Sequence, residues 1–129
     1  MTVPTSRLLL DTHVFIWWRE RSSRLSRDVV EDIASADAVF VSIATAWEIA
    51  IKVSTGRLKV PGPVAEGVAH SGFTALPITF DHAERVAGLP HYHRDPFDRM
   101  LAAQALHEGL TLVTHDRSFA PYALPVRWT

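Results

Sequence analysis

The chain has 129 residues, 47% of them hydrophobic and 21% charged. That balance suits one compact domain spanning residues 1–129 and argues against a disordered or fibrous polypeptide. The absence of cysteine excludes a disulfide framework, a thiolate metal site and thiol catalysis, and is compatible with the expected cytoplasmic location. A formal charge of −1 is low for a nucleic-acid binder, but with four acids gathered in one site the remaining surface would be net positive. No apolar run reaches the roughly 20 residues needed to cross a bilayer, and the N-terminus lacks a signal-like segment, so no membrane association is expected.

In chain order, Arg7-Leu8-Leu9-Leu10 reads as a buried strand ending at Asp11, with a helix from Thr12 to Glu20 directly after it. Arg19, Arg21, Arg24 and Arg27 follow closely, placed either to meet a phosphate backbone or to solvate a helix end. Ser26 starts a helix striped by Val29, Val30 and Ile33, and Ala38 to Ser42 forms a second strand. Ser42 is positioned to cap the next helix, which carries Trp47 and Glu48 and stops at Gly56. Residues 58–63 make a connection, 64–70 a short helix, 74–78 a strand and 81–87 a helix ended by Gly88 and Pro90. After a loop at 91–94, Asp95-Pro96 opens the strongest helix, which Gly109 ends. Leu110 to Val113 is a strand running toward Asp116, and Val126-Arg127-Trp128 a final edge strand. This alternation predicts an α/β fold with a mainly parallel sheet between helical layers, an α/β/α sandwich, whose ligands bind beyond the carboxyl ends of the strands.

Four acids fall at element ends that such a sheet would bring together: Asp11, Glu48, Asp98 and Asp116. Clustered carboxylates repel and raise one another's pKa, so a fold that gathers them needs a cation or protons. Hard oxygen ligands select Mg²⁺ or Mn²⁺, and phosphodiester hydrolysis is the chemistry that best uses such a site. Thr12, Ser42 and Thr114 lie beside these acids as hydroxyls able to orient a carboxylate, although Ser42 serves equally as a cap. Asp95 is either an added ligand or the N-cap partner of Asp98. Arg99 and Arg117 adjoin the acids, placed to reach a phosphate or to pair on the surface.

The segments Leu8-Leu9-Leu10-Asp11-Thr12-His13, Ser42-x-x-Thr45-x-Trp47-Glu48, His93-x-Asp95-Pro96-Phe97-Asp98-Arg99-x-Leu101-x-Ala103-Gln104-Ala105 and Leu112-Val113-Thr114-His115-Asp116 resemble, in order, the motifs of PIN-domain ribonucleases, particularly VapC-type toxins of bacterial toxin–antitoxin pairs. The resemblance implies a PIN-like sandwich and Mg²⁺- or Mn²⁺-dependent cleavage of RNA. It implies Asp11, Glu48, Asp98 and Asp116 as metal-binding and catalytic acids, together with a cognate antitoxin and a homodimer. Trp17, Trp18 and Trp47 read as core or interface residues, and the apolar run Val14–Trp18 offers exposed tryptophans, or a groove beside them, to an antitoxin helix.

Two other classes compete. A metallophosphoesterase is suggested by Asp11-x-His13, but the Gly-Asp and Gly-Asn-His elements of that pattern are missing, and His91-x-His93 reads as loop histidines. A non-catalytic α/β interaction module is the other, since topology alone does not establish chemistry. Neither a GxSxG elbow nor a phosphate-binding glycine loop is present.

Overall fold

A computed structural model describes residues 6–129; the first five residues of the expected 1–129 domain, and the N-terminal segment read for a signal, lie outside that range. Strand β1 (Arg7–Leu10) leads into α1 (Thr12–Glu20) and α2 (Arg27–Ser35), then β2 (Ala38–Ser42) and α3 (Ile43–Ser54). Helix α4 (Val64–His70), β3 (Thr74–Leu76), α5 (Phe80–Ala87), α6 (Pro96–Glu108) and β4 (Thr111–Thr114) follow, and the chain closes with a 3-10 turn at Arg117–Phe119 and β5 (Val126–Trp128). The five strands form one sheet in the order β3-β2-β1-β4-β5, and every pairing is parallel.

Alternation along the central strands separates two apolar layers, because successive side chains of a strand point to opposite faces. Leu8 and Leu10 join Val39, Val41 and Val113 in a cluster with Val14 and Phe15 of α1, Val29 and Ile33 of α2, Ile49 of α3 and Val68 of α4. Leu9 and Leu112 face the other way, into Leu101, Ala102 and Ala105 of α6 with Phe119 and Tyr122. The expected sandwich is therefore present. The order of strands reverses between β1 and β4, so the crevice beyond their carboxyl ends is the natural binding place, and Asp11 and Asp116 follow those two strands.

Three readings change. The third strand ends at Leu76 rather than running to 78, since Pro77 has no N–H for a ladder. Thr79 then starts α5: its hydroxyl accepts from the His82 N–H at 3.2 Å, and His82 Nδ1 accepts from the Thr79 N–H at 3.1 Å. On α1, Val14, Phe15 and Trp17 are buried, and Trp18 packs on Phe73 with its indole N–H donating to Ser71 Oγ at 3.2 Å. The run that looked like an exposed tryptophan face is thus largely core, and the exposed indole is that of Trp47 on α3 (61%).

Arg99 is the third correction. It is buried, and its guanidinium donates to the carbonyls of Val86 (2.9 Å), Leu89 (3.3 Å) and Pro90 (2.9 Å) and to Tyr122 Oη (3.4 Å). The side chain is consumed in tying the α5–α6 connection to α6, and reaches neither a phosphate nor a surface partner. A lysine there offers a point charge without a planar fork, and leaves buried carbonyls unpaired. Arg99→Lys is expected to lower stability by about 2–4 kcal/mol, read as a shifted urea midpoint with an unchanged slope; a midpoint within error of the parent would refute this role.

Candidate functional site

The acids reach the crevice because the helix starts do. Asp11 is the N-cap of α1, with Oδ1 accepting from the Val14 N–H at 2.9 Å. Its Oδ2 accepts from the Thr114 hydroxyl, and the residue is 3% exposed. Thr114 also accepts from the Asp116 N–H at 3.0 Å, which ties the two strand ends together. Asp116 caps the 3-10 turn through Oδ1 and the Ser118 N–H at 2.9 Å, leaving Oδ2 toward the crevice. Asp95 caps α6 through the Phe97 and Asp98 N–H groups, at 2.8 and 3.2 Å.

Asp98, at the third position of α6, does not reach back to the Asp95 N–H, which donates instead to His93 Nδ1 at 3.2 Å. The pair is therefore only half of a capping box, and the Asp98 carboxyl stays in the crevice. Glu48 comes from the first half of α3. Its Oε1 accepts from the Thr12 hydroxyl at 2.7 Å, Thr12 in turn lies 3.1 Å from the Thr45 hydroxyl, and Lys52 Nζ sits 3.0 Å from Oε2.

Asp11, Glu48, Asp95, Asp98 and Asp116 line one cavity of about 370 Å³, together with Thr12, His13, Lys52, His115 and Arg117. Two of the lining acids, Asp98 and Asp116, bring ligand atoms within 4.8 Å of each other and of His93, a group that does not include Asp11 or Glu48. Ser42 is elsewhere. Its hydroxyl accepts from the Ala44 N–H at 2.9 Å, capping α3, and donates to Gln104 Oε1 at 2.5 Å, touching no carboxylate.

Sequence reasoning left His13, Lys52 and His115 of the cavity wall out of the site, together with His93 and Thr45, which touch its acids or their hydroxyl partners. His93 was read as a loop histidine, yet its Nε2 hydrogen-bonds Asp116 Oδ2 at 3.0 Å and lies 3.0 Å from Asp98 Oδ2. Because Nδ1 accepts the Asp95 N–H, Nε2 carries the ring proton and presents a positive end to two acids. Lys52 and Thr45 were legible in principle, lying four residues after and three before Glu48 on the same helical face. His93 had no such local signal, since its partners are fixed by the loop.

The electrostatics follow burial and crowding. Burial raises the Asp11 carboxyl above its ordinary range, against the opposing hydrogen bonds from Thr114 and the Val14 N–H. Asp98 is pushed up to about 7 by burial and then by the charges of Asp95, Glu48 and Asp11, with His93 acting in the other direction. At Asp116, burial's upward push is outweighed by hydrogen bonds from the Ser118 N–H, the His93 ring and the Ser118 hydroxyl, so its carboxyl is held below its ordinary value. The Asp98 carboxyl is thus raised first by its removal from water and then by the neighbouring acids. Oxygen-only acids in this condition fit a hard divalent cation.

The family profile described as "PIN domain" matches residues 8–124. Ribonuclease VapC22 of Mycobacterium tuberculosis is 31% identical over 121 residues, covering 92% of this chain and 93% of that protein. Among solved structures, a chain of VapBC2 from Rickettsia felis, determined bound to a DNA fragment from the promoter, superposes with a TM-score of 0.70 at 15% identity, over 94% of this chain and 97% of that one. A chain of DNA-bound VapBC from Salmonella typhimurium gives 0.69 at 19% identity, over 95% and 98%. With the profile matching residues 8–124 and a relative 31% identical over 92% of its length, the chain belongs to the PIN domain family.

Proposed function

We propose that this chain is a divalent-metal-dependent endoribonuclease that hydrolyses RNA phosphodiester bonds, and that it is the toxin of a type II toxin–antitoxin pair. The observation that carries the reading is the convergence of Asp11, Glu48, Asp98 and Asp116, from four separate elements, on one cavity in which the Asp98 carboxyl is pushed up to about 7. The ribonuclease relative supports RNA as substrate, and the VapBC neighbours support an antitoxin partner.

Asp11, Asp98, Asp116 and Glu48 are the residues that would hold Mg²⁺ or Mn²⁺. When bound, such an ion supplies positive charge against the scissile phosphate and lowers the pKa of water to give the attacking hydroxide. Thr114 and the Val14 N–H fix the Asp11 oxygens, and Thr12 with Lys52 fixes those of Glu48. His93 keeps its Nε2 proton between Asp98 and Asp116. Lys52 and Arg117, on the cavity wall, supply fixed positive charge for a phosphate. No helix among the described residues is long and apolar enough to cross a membrane.

Assembly is part of the same reading. Ile43, Trp47 and Ile51 recur every fourth residue on α3 and are all exposed, and Trp47 packs edge-on against Phe97 at 5.1 Å. This stripe supports a homodimer, and the groove beside α1 lined by Phe15, Ile16, Ile49, Val60 and Val64 supports a seat for an antitoxin segment.

Asparagine at position 11 keeps one acceptor oxygen for the Val14 N–H and turns an NH2 donor toward the Thr114 oxygen, whose hydroxyl rotates away, while removing the charge. Asp11→Asn is therefore expected to retain the parent circular dichroism and lose about 10³-fold in Mn²⁺-supported RNA cleavage; cleavage at the parent rate by the folded variant would refute the assignment.

Asp98 binds its proton more tightly in the fold than in the unfolded chain, so the metal-free protein loses stability as pH rises from about 4 through about 7. A cation must displace that proton. Apparent Mn²⁺ affinity should fall about tenfold per pH unit below neutrality, and the Mn²⁺-induced gain in Tm should be larger at pH 8 than at pH 6. Equal gains at both values would count against Asp98 as a ligand. For the dimer, Trp47→Arg is expected to halve the molar mass measured by light scattering; a monomeric parent protein would remove the proposal.

A further inference from the structure

The carboxylate cavity does not end at its own wall. A second depression of about 520 Å³ adjoins it, and His13 and Lys52 line both. Lys52 is pinned at the junction by its 3.0 Å contact with Glu48. Further along, Arg24 and Arg57 are exposed, and Glu20 is the lone acid on this wall. Among the described residues, neither arginine has a carboxylate within salt-bridge distance. On a chain of formal charge −1, this leaves two arginines beside the acids with no carboxylate paired to either, while Lys52 is paired with Glu48.

Rings cover the step between the two cavities. His115 lies 4.7 Å and His13 6.0 Å from Trp17, centroid to centroid, and the two histidine rings are 5.9 Å apart. Trp17 is buried beneath them, while His13 and His115 are exposed. The Arg24 guanidinium lies 5.7 Å from the Trp17 ring, which holds it at the edge of the ledge. A positive groove interleaved with flat rings is the recognition pattern for a nucleic-acid single strand, whose phosphates meet the cations and whose unpaired bases lie on the ring faces.

We propose that this depression is the track for single-stranded RNA flanking the scissile linkage, with Arg24 and Arg57 contacting phosphates and the His13–His115 ledge receiving a base. The inference rests on the ribonuclease reading and names where the substrate continues beyond the acids. It makes Lys52 the link between the two parts, since the ammonium that pairs with Glu48 also faces the groove.

The test uses the full chain with Arg24→Gln and Arg57→Gln combined, and a fluorescent single-stranded oligoribonucleotide of mixed sequence. With Mn²⁺, KM for that RNA is expected to rise roughly five- to tenfold with kcat and the Mn²⁺ midpoint unchanged. In an Asp11→Asn background, which allows binding without cleavage, the slope of log affinity against log salt should become shallower by about 1.4. The Arg24→Lys, Arg57→Lys pair should recover most of the loss. An unchanged KM and salt slope would overturn the proposal; if the glutamine pair also lost affinity for an acidic peptide, the groove would belong to a protein partner. Should the parent bind this RNA through both arginines yet cleave none with Mn²⁺, the ribonuclease reading fails while the groove stands.

Discussion

The site depends on placing negative charge at helix beginnings. Asp11 starts α1, Asp95 starts α6, Asp98 sits in the first turn of α6 and Asp116 starts the 3-10 turn. At each helix start the backbone N–H groups lack intrahelical partners, and the dipole of a full helix places partial positive charge there. Asp11 and Asp116 each give one oxygen to a cap, and the other meets a side chain across the site, the Thr114 hydroxyl for Asp11 and the His93 ring for Asp116. Crowded carboxylates would otherwise open the fold. Here the caps, the Thr114 and Thr12 hydroxyls, Lys52 and the His93 ring offset part of the repulsion, and the Asp98 carboxyl stays elevated through burial first and the neighbouring acids second.

This arrangement removes a choice the sequence alone poses. Whether Asp95 or Asp116 serves as a cap or faces the site is a false alternative, because each caps a turn and lines the cavity at once. It also gives the hydroxyls distinct tasks: Thr12 serves Glu48, Thr114 joins Asp11 to Asp116, and Ser42 supports Gln104 in the core. Gln104 is fully buried, and its amide reaches the Pro77 carbonyl and His82 Nδ1, both at 3.3 Å. Through it, α6 is joined by polar contacts to both β2 and the β3–α5 connection.

Much of the architecture was legible because periodicity and punctuation agree locally. Leu8-Leu9-Leu10 before Asp11, Ser26 and Ser42 as caps, and Asp95-Pro96 with Gly109 around α6 each carry their own physical reason, and each element lies where that reason puts it. The placing of Asp11 and Asp116 was readable from strand ends in a parallel sheet, whereas Glu48, inside a helix, entered the set through the family resemblance. What stayed hidden depends on contacts remote in the chain. Arg99 looks like a surface cation beside an acid until the turn at 86–90 wraps three carbonyls around it. His93 has no helical or strand period to announce its direction, and the Trp17-Trp18 pair, legible as core or interface, does not say which of the two it is.

The strand order has a consequence for how such a chain tolerates change. β1 lies at the centre with β2 and β4 on either side, while β3 and β5 are the margins. Asp11 therefore hangs from the most enclosed backbone in the molecule, and lengthened or shortened segments at either margin need not disturb it. Arg24 and Arg57 come instead from the α1–α2 and α3–α4 connections, outside the sheet, and α1 with Lys52 of α3 supplies the rest of their groove. Descendants of one ancestral protein could thus exchange the RNA sequences they choose by remodelling those two peripheral connections, while inheriting the cleaving centre intact.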